Sequence, residues 1–135
     1  ITPLAAADML QLNAATALKA GQNGHFIVKA EINGRNVRVM VDTGASAVAL
    51  SYEDAQDVGL RPGSLDYNVP VSTANGVVKA AGVNLDKVEI DGVRVTDVQG
   101  LVMPKGIMRG SLLGMSYLAK LKSFKVEDGV LYLKN

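Results

Sequence analysis

Cysteine is absent from this chain of 135 residues. That absence excludes disulfide bridges, thiolate nucleophiles and zinc–thiolate centres. It leaves the compartment open, because cytosolic and exported domains alike can lack the residue. Histidine occurs once, at His25. A Ser–His–Asp site would depend on that single imidazole, and a lone His just before a strand reads more simply as a surface or capping residue. No apolar run reaches the roughly 18–20 residues that a membrane-spanning helix needs. An excess of one charge is also missing: 14 Lys+Arg against 13 Asp+Glu leave a net charge of +1. The basic residues are scattered, with no stripe of the kind that nucleic-acid binding favours.

What is present fits one domain, long enough to bury a core without a metal or disulfide staple. The apolar share is 48% and the charged share 20%. Residues 1–23 are Ala-rich and end in Gly21-Gln22-Asn23-Gly24. They read as an N-terminal arm or linker, with a short helix, a lead-in strand through Met9–Leu12 or a frayed segment all left open. Residues 24–135 read as the folded domain. The first residue is Ile1, not Met. The sequence therefore reads as a fragment or processed product, compatible with a leader or anchor outside it.

From His25 onward the pattern is mostly β. Four pairs, Asn33-Gly34, Asn75-Gly76, Asp91-Gly92 and Asp128-Gly129, each sit between apolar or alternating stretches. Such dipeptides suit type I′ hairpin turns, whose two central residues both need positive φ. The hairpins expected are Phe26–Ile32 with Arg35–Val41, Val69–Ala74 with Val77–Ala81, Val83–Ile90 with Val93–Val102, and Phe124–Glu127 with Val130–Leu133. Two short helices interrupt them. One is opened by Ser51 as cap, with Glu53 and Asp54 in its first turn, and is closed by Gly59. The other spans Met115–Leu121.

The residues with the most chemistry lie in Val39-Met40-Val41-Asp42-Thr43-Gly44-Ala45-Ser46. An apolar strand ends in an acid, a hydroxyl and a glycine, and Ala47–Leu50 then resumes a strand. Turn chemistry accounts for Asp and Gly taken separately. It does not account for a carboxylate set between apolar strands, where burial is costly without partners. Catalysis is a reason for an acid to be there.

Val41-Asp42-Thr43-Gly44-Ala45-Ser46 resembles the active-site signature of clan AA aspartic proteases. Two companions strengthen the resemblance. Leu112-Leu113-Gly114, 70 residues after Asp42, is similar to the element that closes the catalytic loop in that fold. Ser72-Thr73-Ala74-Asn75-Gly76-Val77 sits on a hairpin where the family has its flap. Gly24-His25, Ile32-Asn33-Gly34-Arg35, Thr73-Ala74-Asn75-Gly76 and Leu112-Leu113-Gly114-Met115-Ser116-Tyr117-Leu118 occur in the order seen in the short retropepsin-like proteases of bacteria, often membrane-anchored.

The resemblance implies an all-β, single-lobe retropepsin-like acid protease barrel with one or two short helices, working as a homodimer. It implies an aspartic endopeptidase acting on polypeptides in extended conformation, with no cofactor or metal. The chain contains one Asp-Thr-Gly: Asp54, Asp57, Asp66, Asp86, Asp91, Asp97 and Asp128 all lack that context. A second copy of Asp42 would therefore complete the catalytic pair across a twofold axis. The roles implied are catalysis for Asp42 and a cross-axis hydrogen bond for Thr43. Gly44 would give room for substrate backbone, and Ala45 and Ser46 would line the cleft. Thr73, Ala74, Asn75 and Gly76 would form the flap tip, and Leu113 and Gly114 would close the loop. A periplasmic or inner-membrane-anchored location, with any membrane contact made through a segment outside this sequence, is implied on the same ground.

One departure stands out. Retroviral enzymes place Arg after the second Gly, paired with an acid just past the catalytic loop. Here those places hold Met115 and Ser46, so dimer support is expected elsewhere, with the termini as candidates. A catalytically weak peptide-binding module with the same fold is the alternative, and an unrelated small β-barrel is a third reading. The remaining singular residues have plainer explanations. Met103, Met108 and Met115 read as gap-fillers of a core or pocket, Lys105 and Arg109 as a solvated loop, and the four tyrosines as packing residues.

Overall fold

The computed structural model describes residues 14–21 and 23–135. Three of the four glycine turns adopt the geometry that their composition dictates. Asn33, Asp91 and Asp128 have φ of 50°, 45° and 52°, and each is followed by a glycine with φ between 73° and 85°. They join β2 (Ile27–Ile32) to β3 (Arg35–Val41), β6 (Gly76–Ile90) to β7 (Val93–Val102), and β9 (Ser123–Glu127) to β10 (Val130–Lys134).

The fourth turn differs from the type I′ expectation. Gly76 has φ 112°, but Asn75 is not left-handed. Thr73, the last residue of β5 (Tyr67–Thr73), pairs with Gly76, so Ala74 and Asn75 are the turn. The Thr73 hydroxyl accepts from Asn75 N at 3.3 Å and donates to Gly76 O at 2.6 Å. This local side-chain bonding shifts the turn back by one residue. A second difference lies at Gly82, which reads as a break between strands. The structure carries β6 through it unbroken for 15 residues. Gly82 pairs with Leu101 of β7, so ladder bonds to β7 persist where pairing with β5 ends at Ala81.

The remaining elements are short. Strand β4 (Val48–Leu50) leads into α1 (Tyr52–Asp57). Ser51 caps α1 by accepting from Asp54 N, and Gly59, at φ 87°, follows its end. A 3-10 turn at Pro62–Ser64, not anticipated, starts on the fixed φ of its proline. Strand β8 (Ser111–Leu113) precedes α2 (Met115–Leu118), which is shorter than expected: the chain goes on to Leu121 in single turns.

One sheet runs in the order β2-β3-β8-β4-β7-β6-β5. Pairing of Glu31 with Glu89 and Ile32 with Val88 joins β2 to β6 and closes six strands into a barrel, with β5 outside on the edge of β6. The result is the all-β barrel with short helices expected from the sequence. Its centre is filled by Ile32, Leu50, Leu85, Leu113 and Tyr117, all fully buried. Each such aliphatic side chain contributes on the order of 1.5–3 kcal/mol. Tyr117 avoids the cost of an unpaired hydroxyl by donating to Val93 O at 2.7 Å, and burial raises its pKa.

Residues Ala15–Lys19 form a further strand, β1, which pairs with β10 in a separate sheet ordered β1-β10-β9. Its Leu131 and Leu133 are buried in the barrel's core, with Leu18 and Phe124 packed alongside. The Met9–Leu12 stretch considered for a lead-in strand lies outside the described residues.

Candidate active site

Strand β8 positions the site. It lies between β3, to which it is parallel through Met40–Leu112 and Val41–Leu113, and β4, which it meets at Ala49–Leu112. The chain from β3 to β4 must therefore arch over the end of β8, and that arch is the Asp-Thr-Gly segment. Asp42 N donates to Leu113 O at 3.0 Å, and Ala45 N donates back to Asp42 O at 3.1 Å. Beyond β8, Met115 N donates to Ala45 O at 2.8 Å. A backbone hydrogen bond thus holds the loop at the position where the Arg–acid pair of retroviral enzymes is missing.

Gly114 makes that approach possible. A Cβ there would lie 2.2 Å from Ala47 O and 2.6 Å from Ala45 O, far inside contact distance. Ser116 adds a further tie: its hydroxyl accepts from Val48 N at 2.9 Å and donates to Gln99 O at 2.7 Å. Ser111 donates to the Asp54 carboxylate and accepts from Ser51 N, anchoring β8 to α1.

The Asp42 carboxyl is half-buried. Its Oδ1 accepts from Gly44 N at 2.9 Å. Oδ2 has no hydrogen-bond partner among the described residues, leaving one oxygen for a water or a second acid. Asp42 opens onto a cleft of about 1020 Å³, roomy by the standard of small-molecule pockets.

Of the residues singled out in the sequence, Asp42, Gly44, Ala45 and Ser46 line this cleft on one side and Thr73, Ala74 and Asn75 on the other. Elements 30 residues apart in the chain thus meet across one cavity. Thr43 and Gly76 do not line it; both are exposed. Leu113 and Gly114 are buried behind the loop. The floor was not legible in the sequence: Ala49, Leu101, Met103 and Leu112, with Gln99 also lining the cleft. The alternation along β7 shows two faces but not which one looks into a cavity. Met103 and Met108 both line the cleft, which fits their reading as adaptable fillers. Asp42 is the one charged side chain lining it among the described residues. Among the described residues, no group of His, Cys, Asp and Glu is arranged to hold a metal ion.

The barrel with its acid-bearing loop is the architecture of a single-lobe aspartic protease, and comparison with known proteins agrees. A retropepsin-like aspartic protease from Rickettsia conorii superposes with a TM-score of 0.82 at 37% identity, covering 90% of this chain and 91% of that one. EIAV protease complexed with the inhibitor HBY-793 superposes with a TM-score of 0.60 at 20% identity over 75% of this chain, a likeness of fold alone. The family model described as "gag-polyprotein putative aspartyl protease" matches residues 28–120, and the chain belongs to that family of retropepsin-like aspartic proteases. Two uncharacterized bacterial proteins are also similar. One, from the cobV 5′ region of Sinorhizobium sp, is 41% identical over 84% of this chain; the other, from Rickettsia prowazekii (strain Madrid E), is 41% identical over 82%. The chain spans about half the length of these curated relatives, 48% and 47%.

Proposed function

We propose that this chain is an aspartic endopeptidase whose active site is completed by a second copy of itself. The observation behind this reading is the solitary acid: among the described residues the cleft is lined by one carboxylate, Asp42, whose Oδ2 has no partner among them. Peptide hydrolysis without metal or side-chain nucleophile needs a base to deprotonate water and an acid to protonate the leaving amine. Two carboxylates a few Å apart cannot both ionise, so they share one proton and supply both functions, the general behaviour of aspartic-protease dyads. Two groups bordering the Asp42 loop suit contact with a second copy: exposed Thr43, and Ile27, which sits opposite Met40 and is 55% exposed. The assembly test follows directly. Specific activity falls on dilution below the dimer's dissociation constant. A covalently linked tandem resists that fall, and Asp42→Asn chains mixed in excess poison the wild type through mixed dimers. Constant activity per chain where sedimentation shows only monomers would refute the shared site.

The β5–β6 hairpin is the cover in this reading. Its tip packs little surface, so opening is easy, and closure over an extended substrate would exclude water from the acids. Gly76→Val probes it. A Cβ at Gly76 meets nothing within 4 Å, so the strain is purely that of a β-branched residue at φ 112°. The tip belongs to no core cluster, so the melting temperature is expected to move by only a few degrees. Turnover is expected to fall by roughly tenfold or more, as the cover is misplaced. Wild-type turnover by the folded variant would mean that another segment covers the substrate. The periplasmic or inner-membrane location is part of the same proposal and rests on the resemblance alone.

A further inference from the structure

The loop from Pro104 to Gly110 forms one wall of the cleft through Gly106, Ile107 and Met108. On either side of that apolar stretch stands a cation: Lys105 and Arg109, both exposed. Neither makes an ion pair or side-chain hydrogen bond among the described residues. Several other basic side chains are engaged: Arg94 pairs with Glu89, Lys125 with Glu127, and Lys120 donates to Thr96 and Asp97 carbonyls. The loop itself contains no acid. Among the described residues the only charge inside the cleft is Asp42, and the floor of Leu101, Met103 and Leu112 is apolar. Apart from Asp42 the described lining is uncharged, and two exposed cations flank it on this wall.

We infer that Lys105 and Arg109 are specificity determinants for peptides that carry Asp or Glu a few residues away from an apolar cleavage site. This rests on the protease reading above. Apolar side chains flanking the scissile bond would enter the cleft without stranding a charge. An extended chain advances about 3.3 Å per residue, so the third residue out lies roughly 10 Å from that bond, within reach of the rim. There a carboxylate meets the field of the two exposed cations, which acts over about a Debye length. Charge at a rim acts on encounter and binding, so the effect is on kcat/KM, mainly through KM. Exposed pairs are individually weak, which sets the expected preference at about three- to tenfold.

The test uses three peptides with the same apolar cleavage site and Glu, Gln or Lys at the third residue on both sides, above about pH 5.5 so that Glu is ionised. The expected order of kcat/KM is Glu, then Gln, then Lys, and the spread narrows at high salt, where the Debye length drops to about 3 Å. Paired substitution K105Q/R109Q removes the preference, and K105E/R109E reverses it. The same peptides are titrated against Asp42→Asn protein, so the order is also read in Kd. That separates the two readings: absent cleavage with an intact binding order counts against the protease proposal alone. Equal values for all three peptides at low salt, or a Glu preference that persists in K105Q/R109Q, would overturn the rim's role.

Discussion

Asp42→Asn is expected to abolish peptide cleavage while leaving the fold in place. Removing a group that moves protons in the transition state costs on the order of a hundred- to ten-thousandfold in rate, so residual turnover should sit near background. The substitution is mild structurally because of where the carboxylate is tied. Oδ1 accepts from Gly44 N, and an amide oxygen can accept the same bond. The backbone bonds from Asp42 N to Leu113 O and from Ala45 N to Asp42 O do not involve the side chain. Melting should therefore shift by only a few degrees. In a dimer the change replaces a proton-sharing acid pair with two neutral amides that can hydrogen-bond each other, so association should not weaken. Asp42→Ala is the harsher control, since it leaves Gly44 N without its acceptor. Peptide turnover and thermal unfolding on the same purified protein decide the matter. Substantial cleavage by the Asn variant would remove Asp42 from the catalytic role.

Gly114→Ala is expected to be the most damaging one-methyl change in the molecule. The added carbon would sit 2.2 Å from Ala47 O, 2.6 Å from Ala45 O and 2.7 Å from Ala47 C. All three are backbone atoms, so no side chain can swing aside. Either β8 withdraws from between β3 and β4, or the Asp42 loop is pushed out. Overpacking of this severity costs about 3 kcal/mol or more, a fall of roughly 10 °C in melting temperature. If the barrel survives, the loop is displaced by about an ångström, enough for a hundredfold loss of turnover. Gly92→Ala is a useful contrast: Gly92 has φ 83° where Gly114 is extended at −102°, and a Cβ at Gly92 meets nothing within 4 Å, so only conformational strain is added there. Wild-type melting and turnover in Gly114→Ala would show that the loop does not depend on this close approach.

Much of the fold follows from local chemistry. Asn33-Gly34, Asp91-Gly92 and Asp128-Gly129 bend as their left-handed preferences dictate, because each turn's energy lies within its own two residues. Asn75-Gly76 has the same composition and does not, because the neighbouring Thr73 hydroxyl competes for the turn's backbone groups. Gly82 shows the limit from another side. A glycine between short residues weakens a strand intrinsically, but bonds to Leu101 and its neighbours on β7 hold β6 straight through it. Those partners are distant in sequence and give no local signal. The strand at Ala15–Lys19 is a similar case: alternation among small residues is faint, and pairing with β10 brings it out.

The sequence by itself determined the acid, its loop and the companion that closes it. Asp42-Thr43-Gly44 and Leu113-Gly114 each need particular side chains, or the lack of one, and such requirements are written residue by residue. The family follows from them. The threading of β8 between β3 and β4, the apolar floor made by Leu101, Met103 and Leu112, and the placing of Ser72–Asn75 opposite Asp42 were decided only by tertiary structure. A cleft is made of faces, and which face of a strand looks inward depends on what the rest of the barrel packs against it.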